Sequence, residues 1–163
     1  MKKEVRLYNM IMPLWLVLAF PVMWLPTLAG NFIIDSIVLL ILLKIKKKDN
    51  KKQIWKGCIL KVWVFGMLAD IIGGAALVAI SIFLEKIRRY EASNAIIFNP
   101  WANPLSAVSV LFCMALSSAF IYLFDKKISF KKVFDDESDR KWFALAFAVI
   151  TTPWLFASSI VIH

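Results

Sequence analysis

The sequence predicts an all-α, polytopic membrane helix bundle, and three observations carry that expectation. Of its 163 residues, 61% are hydrophobic, above the ~45–50% usual for a soluble domain. Mean hydropathy is +0.73. The apolar residues fall into blocks long enough to cross a hydrocarbon layer of about 30 Å, separated by short charged stretches. Residues 1–163 therefore read as a single integral membrane domain, with five membrane segments at about 8–25, 28–45, 62–84, 105–124 and 142–162.

The first two segments come from one apolar stretch, residues 10–43, which is far longer than the ~20 residues that one crossing needs. Pro21, Pro26 and Gly30 crowd its middle. The prolines remove backbone donors and the glycine permits a reversal, so two short helices joined as a Pro/Gly-turned hairpin are expected, either re-entrant or fully crossing. The basic start and the Thr27-Leu28-Ala29 sequence imitate a secretory signal. A second apolar run follows at once, and the segment is expected to be retained.

Residues 44–61 form a lysine-rich connection and residues 85–103 a polar one containing Asn99-Pro100-Trp101-Ala102-Asn103-Pro104. Residues 125–141 mix lysines with Asp135-Asp136-Glu137-Ser138-Asp139. That acidic run lacks the alternating ligands and glycine of a calcium loop, and reads instead as a solvated turn in which Ser138 or Asp139 caps the last helix. Trp55, Trp101 and Trp142 fall near segment ends, where an amphipathic ring suits the headgroup level.

The net charge of +9 resides in the connections beside apolar runs. That placement suits orientation in a bilayer and contact with anionic lipid, and no nucleic-acid-reading motif accompanies it. Five crossings with a cytoplasmic N-terminus place 17 Lys/Arg inside and 3 outside; four crossings with an external N-terminus give 14 and 6. The first arrangement is expected, with the C-terminus outside the plasma membrane.

The residues with chemical potential are acids at depth. Asp70 lies near the centre of segment 62–84, with Gly66 and Gly74 each four residues away on its face and Gly73 beside it. A stripe of small residues lets another helix approach closely, which directs the acid into a helix contact. Asp35 and, one turn before it, Asn31 lie midway along segment 28–45, so Asn31, Asp35 and Asp70 are candidates for one buried polar or ion site. No Arg, Lys or His lies at the depth of these acids to answer them, since Lys44 falls at the end of its segment and Lys61 on the face opposite Asp70. Two carboxylates in low dielectric without a base are costly to ionise together. Either they are protonated, or a cation lies between them, or a second subunit supplies a base.

Ser106, Ser109, Cys113 and Ser117 recur on one face of segment 105–124. The serines line either a wet cavity or, by preference, a tight helix contact. Thr151-Thr152-Pro153 predicts a kink whose threonines satisfy the carbonyls that proline leaves free. Cys58 and Cys113 have no CxxC partner and read as packing; the lone histidine is His163, so no metal site, cofactor or catalytic triad is expected. Two acids on adjacent segments are also the arrangement of intramembrane aspartyl proteases. Their glycine-x-glycine-aspartate signature is missing around Leu68-Ala69-Asp70-Ile71, and no other enzyme motif is present.

The functional expectation is proton- or cation-linked transport through Asn31, Asp35 and Asp70. Its rival is a non-transporting membrane subunit, assembling with itself or another protein, that uses the same acids to hold helices together.

Overall fold

The computed structural model describes residues 24–157, and among them the only regular secondary structure is helical. The elements are α1 (Trp24–Ile45), α2 (Lys51–Lys86), α3 (Tyr90–Phe98), a 3-10 turn (Pro100–Ala102), α4 (Pro104–Phe124), a π turn (Asp125–Ser129), α5 (Glu137–Ile150) and a final 3-10 turn (Trp154–Ala157). Three of these helical stretches are long and apolar enough to span a membrane: α1, α2, and α4 with its π turn. Ile33, Ile37, Leu40 and Ile41 on α1, and Val64, Leu68, Ile71 and Val78 on α2, face outwards. Such surfaces are compatible with a membrane-embedded protein.

Several expected boundaries move. Most of segment 8–25, including Pro21, lies outside the described residues. From Trp24 onwards the chain is already helical and passes through Pro26 and Gly30 without reversing. The described helix therefore carries Pro26 without a break. The lysine-rich connection is shorter than expected because α2 starts at Lys51 and runs for 36 residues, about 54 Å. Its first three turns extend the apolar part of the helix on the basic side. The last segment is not one continuous crossing. Helix α5 has only 14 residues, about 21 Å, and stops at Thr151, short of a hydrocarbon layer.

Helices α1 and α2 both end in a Schellman-type closure. Lys48 N–H bonds Leu43 O at 3.0 Å with Lys47 at φ 50°, and Arg89 N–H bonds Leu84 O at 2.8 Å with Arg88 at φ 62°. Asn103, ahead of Pro104, accepts from Leu105 N–H and starts α4. Asp136, rather than Ser138 or Asp139, caps α5 by accepting from Ser138 N–H. Asp139 instead pairs with Lys46 and Lys48, clamping the start of α5 to the α1–α2 connection.

Two cores result. The one at the basic end gathers Leu39, Leu43 and Val62 with the rings of Phe130, Phe134, Phe143 and Phe147; Phe134 and Phe143 stack at 4.4 Å. The other joins Leu77, Leu84, Ile96, Val110, Met114 and Phe156. Trp63 Nε1 donates to Leu28 O at 3.0 Å and ties α1 to α2. At the far end Trp101 Nε1 donates to Ala157 O at 2.8 Å.

The tightest approach is at Gly73. A Cβ there would lie 2.9 Å from Ser117 Cβ, 3.1 Å from Phe156 Cε2 and 3.2 Å from Cys113 O. Gly73→Ala is expected to destabilise the protein by about 1–3 kcal/mol through overpacking. At Gly30 a Cβ would meet nothing within 4 Å, so Gly30→Ala is expected to stabilise by about 0.5–1 kcal/mol. Thermal unfolding in detergent micelles checks both signs.

Candidate functional site

The three long helices bring the acids towards one another through the small residues of α2. Ser117 Oγ, fully buried on α4, donates to Asp70 Oδ1 at 2.9 Å. Asp35 of α1 packs over Gly66: a Cβ at position 66 would lie 3.9 Å from Asp35 Oδ2. Gly66 is one turn from Asp70, and Asp35 and Asp70 are within range of a direct Coulomb interaction. Asn31 is half-buried one turn before Asp35. Gly74 is buried in α2 next to Gly73.

A third buried acid lies two turns beyond Ser117, towards the basic end. Asp125 is 2% exposed and lies in Coulomb range of Asp35 and of Cys58. It opens the π turn, where Phe130 N–H reaches back five residues to Asp125 O at 2.9 Å. That turn carries Asp125 and Ser129 beneath the bundle instead of out into a charged connection. Sequence reasoning assigned Asp125 to the connection because Lys126 and Lys127 follow it. The signal was nevertheless present: Cys113, Ser117, Ile121 and Asp125 are spaced four apart, so the buried stripe of α4 runs directly into the acid.

Among the described residues, no ion pair reaches Asp35, Asp70 or Asp125. Of the lysines at the basic end, Lys46 and Lys48 pair with Asp139 and Lys126 with Glu137 at 3.8 Å, while Lys61 lies in Coulomb range of Cys58. Glu137 also takes Lys141 at 2.9 Å, and that bond holds its carboxyl below the usual range.

The serines of α4 face helix contacts. Ser106 Oγ donates to Ala92 O at 3.0 Å, joining α4 to α3, and Ser109 Oγ donates to Leu105 O at 2.7 Å within its own turn. Ser118, which the sequence did not single out, bonds Ala148 O at 2.8 Å and exchanges a bond with Thr152 Oγ1 at 2.7 Å. Ahead of Pro153, Thr151 Oγ1 donates to Phe147 O at 2.8 Å and Thr152 Oγ1 to Ala148 O. The cysteines are free and buried. No group of three or more His, Cys, Asp or Glu side chains converges on a metal-sized site among the described residues.

No protein-family model, no curated protein and no solved structure matches this chain. Function therefore has to be argued from the acids and their surroundings alone.

Among the described residues, the Ser117–Asp70 bond is the hydrogen bond that joins α2 to α4. Ser117→Ala is expected to lower stability by about 1–3 kcal/mol, the range for removing one partner of a buried hydrogen bond to a charged or polar group. Thermal unfolding in micelles measures it, and an unchanged midpoint would show that the contact holds nothing.

Proposed function

We propose that this chain is a multispanning protein of the plasma membrane that carries protons or a monovalent cation along its buried acids. The observation that carries the reading is that Asp35 and Asp70 lie within Coulomb range of each other, midway along two long apolar helices, and that neither has an ion-pair partner among the described residues. Burying an isolated carboxylate costs free energy, and acids kept within membrane helices are typically those that exchange protons or bind cations. Gly66 leaves room for Asp35 to pack against α2 one turn from Asp70, while Gly73 sets the close approach of α2 to α4.

The proposed topology has five segments, with the N-terminus in the cytoplasm and the C-terminus outside. Asp139 near the start of α5 meets Lys46 and Lys48, while Ala157 meets Trp101 on the opposite connection. That path supports a last crossing made of a short helix and a broken continuation. The lysine-rich connections all fall at one end, which favours that end as the cytoplasmic one. A reporter fused to the N-terminus is expected to read cytoplasmic, and an external reading would overturn the five-segment topology.

A second reading has its own observation. The Ser117–Asp70 bond is what a structural acid makes when it holds two helices together. On that reading the chain is a non-transporting subunit that assembles in lipid with a second copy or another membrane protein.

Flux into sealed liposomes separates the two. Purified protein under an imposed proton or sodium gradient is expected to conduct, and Asp35→Asn and Asp70→Asn are each expected to reduce the rate at least tenfold while remaining folded. A folded wild-type protein that passes neither ion sinks the transport reading.

A further inference from the structure

We propose that the π turn after α4 is a binding site for a small dehydrated monovalent cation, with sodium as its probe, held by Asp125 and Ser129. Asp125 Oδ1 and Ser129 Oγ are both buried and both without a hydrogen-bond partner; the residues are 2% and 0% exposed. Buried polar atoms of this kind are rare because each lost hydrogen bond costs free energy. Two of them, one turn apart on the same widened stretch of helix, point to a ligand that both oxygens contact.

The chemistry selects a cation. Both atoms are hard oxygens and one belongs to a carboxylate. The negative end of the α4 dipole falls at this turn, and Asp35 adds a further negative charge within Coulomb range. Among the described residues, no base pairs with Asp125, since the neighbouring Lys126 turns to Glu137 and to the Tyr122 ring. Ser129 is near enough to the Asp125 carboxyl to interact with it, yet as placed Asp125 Oδ1 and Ser129 Oγ meet no hydrogen-bond geometry. One cation satisfies both. A single carboxylate with a hydroxyl balances one positive charge, and the lack of a three-ligand cluster among the described residues argues against a divalent ion. Helix interruptions next to a carboxylate are a recognised way of holding sodium at membrane depth.

The inference deepens the transport reading and rests on it for its purpose, but binding is measured without transport. Thermal unfolding in micelles is followed while sodium chloride replaces choline chloride at constant ionic strength. The expected result is a saturable rise of Tm, on the order of 5–10 °C when sodium is about a hundredfold above its Kd. The rise is expected to vanish in Asp125→Asn, to shrink in Ser129→Ala and to persist in Glu91→Gln, which removes an exposed acid at the far end. Equilibrium binding of radioactive sodium to the wild type gives a second reading that needs no variant. Equal Tm in the two salts, no bound sodium, or a rise that survives in a folded Asp125→Asn would each overturn the proposal. Sodium binding without flux would leave the site standing and remove the transport reading.

Discussion

At Gly73 the backbone of α2 comes so near to α4 that a single added carbon would fall 2.9 Å from Ser117 Cβ. Ser117 is also the residue that donates to Asp70. The tightest of the glycine contacts and the hydrogen bond to Asp70 therefore share one residue of α4. The same glycine accepts the ring of Phe156, which follows the break at Thr151–Pro153. Thr152 and Ser118 then tie α5 to α4 one turn away. Three parts of the chain are located by the absence of one side chain, and the depth of Asp70 follows from where they meet.

The charges are partitioned in a way that makes the interior acids consequential. Two acids outside the bundle interior take lysines: half-buried Asp139 holds Lys46 and Lys48, and exposed Glu137 holds Lys126 and Lys141. Pairs at this exposure contribute little stability each. Their larger effect is to direct the cationic side chains along the surface of the basic end. Asp35 and Asp125 then have no ionic partner among the described residues, and a carboxylate in that position has to lose its charge or gain a cation.

Much of the bundle was legible in the sequence, for reasons that differ from residue to residue. Long apolar runs announce helices, and the glycines around Asp70 announced a contact face because helical spacing alone puts them on one stripe. Thr151 and Thr152 bond the carbonyls ahead of Pro153 as their chemistry implies. Other features depended on competition that local sequence does not decide. Pro26 reads as a break, yet the described helix runs through it. The last apolar run reads as a full crossing, yet Pro153 stops it early, and whether a proline bends or ends a helix depends on what packs behind it. Asp125 was missed because two lysines follow it, and only the π turn that folds Ser129 inwards shows that the helix face, not the charge run, decides its surroundings.

The polar stripe of α4 separates two roles that the sequence left together. Ser106 is satisfied by α3, Ser109 by its own turn and Ser117 by Asp70. Over that length, hydrogen bonding between and within helices accounts for every serine, and nothing further is required of it. The account fails at the end of the stripe, where Asp125 and Ser129 are more deeply buried than Asp70 and have no partner. A purely structural stripe would be expected to improve towards the packed aromatic core around Phe130 and Phe143, since unsatisfied polar atoms are most costly there. That the stripe becomes worse satisfied at that point sets Asp125 and Ser129 apart from the serines that bond helix to helix above them.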